Sequence, residues 1–153
     1  MRALELKIPP VAVGLILGAM MWAAARFGPV FSFPLPVSRS IAAALAVAGV
    51  VIAILGVVSF RRAGTTVNPL QPAAASSLVV SGVYRWTRNP MYLGMLLVLL
   101  GGGVLLANAL AILFAAAFIP LMNRLQIQPE EKILAARFGT TFTDYQSAVR
   151  RWI

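Results

Sequence analysis

Two adjacent carboxylates, Glu130 and Glu131, follow Pro129 shortly after the last strongly apolar run of the chain. Earlier, Leu78 to Gly94 reads LVVSGVYRWTRNPMYLG, which sets Arg85 and Arg88 among Tyr84, Trp86 and Tyr92 immediately before an apolar helix. Carboxylates and aromatic faces suit a cationic ligand, and arginine suits a carboxylate. Each group also has a plainer use. Cations and aromatics at a membrane surface anchor a helix, and carboxylates complement the positive end of a helix dipole. The plainer use is the more common one; the spacing of Gly82, Pro90 and Gly94, together with the carboxylate pair further on, raises the chemical use beside it. There is no histidine, so the usual general base near neutral pH and the commonest metal ligand are missing. There is no cysteine either, which excludes disulfides and thiolate chemistry. With only four acidic residues in the chain, no metal site is expected.

These residues are positioned by elements of unusual composition. The chain has 153 residues, room for one domain, with 60% hydrophobic and 11% charged residues. Soluble domains carry about 25% charged residues, so the class indicated is an integral membrane protein. Four apolar runs predict four transmembrane helices, at about 11–27, 41–60, 90–107 and 109–122. Ala23-Ala24-Ala25 resembles a signal-peptide cleavage site, but the run before it exceeds a usual signal core of about 7–15 residues, and a retained helix is the better reading. Gly28 to Ser38, with three prolines, is a loop. Residues 61–89 are too polar for hydrocarbon and too apolar at Leu78-Val79-Val80 for a free linker. They are expected to fold back onto the helix ends, with turns at Asn68-Pro69 and Gln71-Pro72.

Proline at the first helical position starts the third span at Pro90. Gly101-Gly102-Gly103 within it suits close helix packing in a membrane. Asn108 marks a tight turn, and Pro120 a kink late in the fourth span. Pro129-Glu130-Glu131 opens a further helix that stops at Gly139. Thr141 or Thr143 then caps a last amphipathic segment through Tyr145, Val149 and Trp152. The fold expected is all-α and integral to the membrane: four transmembrane helices plus cytoplasmic C-terminal helices, in one domain over residues 1–153.

The formal charge of +9 does not point to nucleic acid, because the cations cluster at the ends of apolar runs. Eleven of the 13 lie in residues 1–10, 61–89 and 123–153, and only Arg26 and Arg39 lie on the other side. The positive-inside rule then puts both termini and residues 61–89 in the cytoplasm, with the protein in the inner or plasma membrane.

The order S-G-x-Y (Ser81, Gly82, Tyr84), then R-N-P-x-Y-x-G (Arg88, Asn89, Pro90, Tyr92, Gly94), then Asn108, then Glu130-Glu131, then Phe138-Gly139 and Tyr145 resembles the isoprenylcysteine carboxyl methyltransferase family. These are integral membrane enzymes that use S-adenosylmethionine. The resemblance covers roughly Arg61 to Trp152. It implies that Ser76, Ser77, Leu78, Val79 and Tyr84 line the cofactor pocket. Asn89, Pro90, Met91 and Tyr92 would form its wall, and Glu130 would hold the cofactor from the C-terminal side. The catalytic residues expected beside these are Arg88, which at the foot of the helix would orient cofactor or acceptor, and Glu131, which would serve the helix terminus or the electrostatics of the site. Methyl transfer is a displacement at carbon, so orientation and electrostatics carry most of the catalysis. A carboxylate acceptor is already ionised, and the lack of histidine is no obstacle.

Two positions depart from the family pattern. Asn89 stands where the family has histidine, and Gln126 stands where members acting on a prenylcysteine carboxylate have arginine. Arg124 or Arg88 is left to substitute at the acceptor. The expected partner is therefore a lipophilic, membrane-embedded small molecule entering between helices from the lipid; the sequence does not fix the oligomeric state. Two other classes remain: a membrane reductase with a nicotinamide cofactor, and a non-enzymatic four-helix scaffold. The reductase needs more spans and a phosphate-binding glycine loop, which is absent here. No charge lies at the middle of any span, which argues against an ion path.

Overall fold

A computed structural model describes residues 5–28, 38–65 and 72–153. The proline loop at 29–37 and the turn signals at Asn68-Pro69 and Gln71 lie outside the described residues. What is described is helical, with irregular connections and no strand.

Helix α1 (Pro10–Phe27) opens with proline in its first turn. Helix α2 (Ser38–Arg62) ends on Arg61 and Arg62, cations placed at the negative end of its dipole. Helix α3 (Pro90–Leu105) starts at the proline expected to start it. Asn108 caps α4 (Ala109–Met122), its Oδ1 accepting from the Ala111 N–H at 3.0 Å. Helix α5 (Gln128–Phe138) stops at Gly139, whose φ of 54° is left-handed.

Three expectations are corrected. Helices α4 and α5 are not separated: Asn123–Ile127 forms a π-helical segment, and the helix runs continuously over Ala109–Phe138. Pro120 lies inside α4 and cannot donate to its ladder, and the π-helical turn begins three residues later. Neither Thr141 nor Thr143 caps α6 (Thr140–Ala148). Gly139 holds the cap position with no side-chain bond, and the Thr143 hydroxyl donates to the Thr140 carbonyl at 2.9 Å. The last segment is also shorter than expected, since α6 ends at Ala148 and Val149 is extended.

Among the described residues three helices are long and apolar enough to cross a membrane: Pro10–Phe27, Arg39–Arg62 and Ala109–Phe138. Helix α3 is apolar but only 16 residues long. At 1.5 Å per residue it reaches about 24 Å, short of a hydrocarbon core of about 30 Å.

Helix α3 lies centrally, against α2 on one side and α1 and α4 on others. It meets α2 through two glycines. A Cβ built on Gly94 would collide with the Gly49 carbonyl oxygen, and one on Gly49 would lie 2.5 Å from the Gly94 oxygen. Only residues without side chains allow this approach. Gly101 belongs to the same contact, where an added Cβ would come within 2.9 Å of the Ala42 oxygen. On the other flank Val13 and Leu17 of α1 pack with Tyr92 and Leu96 of α3 and with Phe118 and Met122 of α4. Beside this bundle, α1, α2 and α3 leave an apolar groove of about 560 Å³ lined by Leu15, Val50, Ile54, Met95 and Val98 among others.

Candidate active site

The polar residues gather where α2 ends, α3 begins, and α5 and α6 fold over both. Ser76 and Ser77 bring the chain back onto the end of α2. The Ser76 hydroxyl donates to the Gly64 carbonyl at 3.3 Å and that of Ser77 to the Ala63 carbonyl at 3.2 Å. Gly82, with φ of 64°, then turns the chain into the single 3-10 turn Gly82–Arg85. A Cβ there would lie 2.9 Å from the Ser59 hydroxyl. This turn buries Tyr84, edge-on to Phe60 with ring centroids 5.3 Å apart. The Tyr84 carbonyl accepts the Tyr145 hydroxyl at 2.7 Å, which fastens α6 to the turn.

These elements enclose a pocket of about 110 Å³. The structure brings ten of the sequence-predicted residues to it: Ser77, Leu78, Val79, Tyr84, Arg88, Asn89, Met91, Tyr92, Glu130 and Glu131. Others stand elsewhere. Ser76 is exposed and tied to Thr65, its N–H donating to that hydroxyl at 2.9 Å. Pro90 is buried against Gly56 of α2. Gln126 is fully buried in the bundle and donates from Nε2 to the Ile8 carbonyl at 2.6 Å, and Arg124 is exposed; neither lines the pocket.

Pro72, Ala75, Ile127, Phe60, Leu134, Phe142 and Tyr145 complete the lining, and sequence reasoning assigned none of them a place there. The F-G-x-x-F-x-x-Y order from Phe138 carries the signal for the last two. Arg151 was also missed, and it shapes the site from outside.

The two carboxylates have opposite surroundings. Glu131 is ion-paired on both sides: Arg88 Nη2 lies 2.9 Å from Oε1, and Arg151 lies 3.1 Å from Oε1 through Nε and 2.6 Å from Oε2 through Nη2. Arg88 also donates to the Gln146 carbonyl at 2.8 Å. Its buried Nε has no partner among the described residues. Glu130 accepts one hydrogen bond, from the Tyr92 hydroxyl at 2.6 Å, and forms no ion pair among the described residues. Burial pushes the Glu130 carboxyl up to about 7 from the usual carboxylate range, with the charge of Glu131 adding and the Tyr92 hydrogen bond opposing. Burial likewise raises the Tyr84 phenol, and raises that of Tyr145 to about 12 against the pull of Arg88.

A half-buried carboxylate without a cation is costly, and a cationic ligand would relieve that cost. Aromatic rings lining the same pocket suit the same charge, and Arg88, which also lines it, suits an anionic group on the ligand. The donor set therefore fits a zwitterionic, sulfonium-bearing cofactor. No group of three or more His, Cys, Asp or Glu able to hold a metal occurs among the described residues.

Comparison with known proteins gives a family for this arrangement. A family model described as phospholipid methyltransferase matches residues 37–141. A protein-S-isoprenylcysteine O-methyltransferase of Tribolium castaneum is 33% identical over 108 residues, covering 66% of this chain and 38% of that protein. Its counterpart in Rattus norvegicus is 31% identical over 112 residues, covering 69% of this chain and 39% of that protein. An uncharacterised protein of Haemophilus influenzae is 43% identical over 63 residues, which is its whole length and 41% of this chain. The chain thus spans under two fifths of the length of each of the two named methyltransferases.

Proposed function

We propose that this chain, which belongs to the phospholipid methyltransferase family, is an integral membrane methyltransferase that transfers the methyl group of S-adenosylmethionine to a lipophilic acceptor. The observation that carries the reading is the Glu130 side of the pocket, a carboxylate bonded among the described residues to Tyr92 alone, walled by aromatic rings and open to a cation. Membership of the family supports it.

S-adenosylmethionine would supply an electrophilic methyl carbon, whose bond to sulfur breaks as the acceptor's lone pair attacks, leaving the neutral thioether. The protein's part is to bind and orient. Glu130 would hold the cationic end, with Tyr92 fixing its carboxyl. Arg88 and Asn89 would face the anionic groups, and Tyr84, Phe60, Phe142 and Tyr145 would surround the less polar part. The enclosed 110 Å³ is smaller than the roughly 300–1,000 Å³ of common ligand pockets, so it holds one end of the cofactor and the rest extends through the mouth. The groove between α1, α2 and α3 lies one helical turn away, Met91 lining the pocket and Met95 the groove. A membrane-embedded acceptor would approach along it. No observation here favours the nicotinamide reductase or the scaffold.

In this reading α3 serves as a fourth span, shielded by its neighbours, and the cation bias puts both termini and residues 61–89 in the cytoplasm as one domain. Reporter fusions at the C-terminus and within residues 29–37 should report opposite sides; the same side for both overturns that topology. The activity is tested by calorimetry of S-adenosylmethionine and S-adenosylhomocysteine in detergent, with NADPH as control. Binding of the first two and not the third is expected. A wild-type protein that binds neither adenosyl compound in detergent or lipid overturns the methyltransferase reading.

A further inference from the structure

After α6 the chain does not trail away. Val149 to Trp152 runs as a strap across the segment that leads into α3. The Arg88 N–H donates to the Arg150 carbonyl at 3.0 Å, and the Arg151 carbonyl accepts from Asn89 Nδ2 at 2.9 Å and from the Thr87 hydroxyl at 3.3 Å. Trp152 Nε1 pins the far end to Asn123 Oδ1 at 3.0 Å, in the π-helical segment. The strap thereby delivers the Arg151 side chain onto Glu131, where it takes Oε2 at 2.6 Å and shares Oε1 with Arg88.

This sharing has two consequences. A guanidinium facing a free carboxylate pairs with both oxygens in parallel. With Oε2 taken, Arg88 bonds Glu131 through Nη2 alone, and its Nε is left buried and unpartnered at a residue lining the pocket. The second consequence is charge. Glu131 is next in sequence to Glu130 and its charge bears on it, and the other titratable or charged groups lining the same pocket are Tyr92 on α3, Tyr84 on the 3-10 turn, Tyr145 on α6 and Arg88. The tyrosines are neutral at physiological pH. The Arg88–Glu131–Arg151 cluster sets the remaining charge, and Arg151 is one of the two cations that offset Glu131.

We propose that Arg151, carried in by the C-terminal strap, is a positioning residue of the pocket: through Glu131 it fixes which face Arg88 presents and how much negative charge Glu130 meets. The inference rests on the methyltransferase reading, because it assigns these residues to cofactor binding. It places a determinant of the site outside the residues that line it. The alternative is that the strap only fastens the tail to the fold.

The two differ in what they do to the pH dependence of binding. Full-length protein in detergent is titrated with S-adenosylhomocysteine by calorimetry at several pH values around 7, with melting temperatures recorded alongside. Arg151→Gln is expected to bind about tenfold more weakly at neutral pH, with the midpoint of the pH dependence moved upward, because the charge of Glu131 is left under-compensated. Arg151→Lys should restore the midpoint, which depends on charge, but not the full affinity, which depends on the fork. Trp152→Phe loosens the strap without changing charge and should lower the melting temperature while leaving the midpoint in place. Wild-type affinity and midpoint in Arg151→Gln overturn the proposal and leave the methyltransferase reading intact. Should Arg151→Gln not fold, full wild-type affinity in Arg151→Lys overturns it. A wild-type protein that binds neither adenosyl compound overturns both.

Discussion

The two walls of the pocket, one on Glu131 and one on Glu130, are made from neighbouring residues of one helix and are built on opposite plans. On the Glu131 wall each charge is matched. Two arginines share one carboxylate, and backbone carbonyls of residues 146 and 149–151 take up donors from Thr87, Arg88 and Asn89. On the Glu130 wall a carboxylate has a phenol and, among the described residues, no cation. The first wall is largely closed by the protein. The second is left open. Successive residues on a helix point about 100° apart, so adjacent carboxylates face different partners. A mostly satisfied cluster beside an unsatisfied group is how a fold supports a binding site at the expense of some stability.

The largest effect should come from breaking the finished wall. Glu131→Ala leaves Arg88, only 11% exposed at its side chain, without its carboxylate and releases Arg151. A loss of about 3–5 kcal/mol of stability is expected, read as a lowered unfolding midpoint in detergent. A loss below about 1 kcal/mol would mean that the clamp is ornamental and the contrast between the walls false.

Glu130→Gln should do the reverse. Removing an uncompensated half-buried charge should leave stability equal or higher. S-adenosylmethionine affinity should fall by about 1.5–3 kcal/mol, roughly ten- to a hundredfold. Unchanged affinity by calorimetry would reduce Glu130 to a charge at a helix start, worth about 0.3–1 kcal/mol.

The pH dependence sharpens the same point. On the proposed reading Glu130 binds a cation when ionised, and its carboxyl is raised to about 7. Affinity should therefore be level above pH 7 and fall about tenfold per unit below it, with proton release on binding in buffers of that range. For stability the sign is opposite to that of a salt-bridged carboxylate. A folded-state value above the unfolded one penalises the ionised fold, so stability without ligand should fall as pH rises from the ordinary carboxylate range towards 7. Glu130→Gln should abolish both trends; persistence of either assigns it to another group.

Tyr92→Phe should be mildest. It removes the one hydrogen bond to the Glu130 carboxyl among the described residues and keeps the ring in the core with Val13 and Phe118. The fold should hold, and affinity at about pH 8 should fall by roughly fivefold, on the order of 1 kcal/mol. A loss as large as that of Glu130→Gln would make the phenol a ligand contact in its own right.

By itself the sequence determined the helices and the identity of most lining residues, because both depend on local chemistry. Long apolar runs can satisfy their backbone in lipid only as helices, Pro90 and Gly139 mark ends through φ and the missing donor, and Asn108 caps α4 with its own side chain. The aromatic and arginine segment beside Pro90 and the Glu130-Glu131 pair likewise announced the pocket. What tertiary structure decided was partnership. No local signal joins α4 to α5 through a π-helical segment, since that turn is held by contacts from Leu6, Gln126 and Trp152 to distant residues. Gln126 and Arg124, expected at the acceptor, lie off the pocket because rotation along that continuous helix buries one and exposes the other. Arg151 carried no signal, for its role depends on a chain that returns 62 residues later to donors at Asn89. Which of two adjacent glutamates is clamped and which is left open is a matter of that return, and composition holds no record of it.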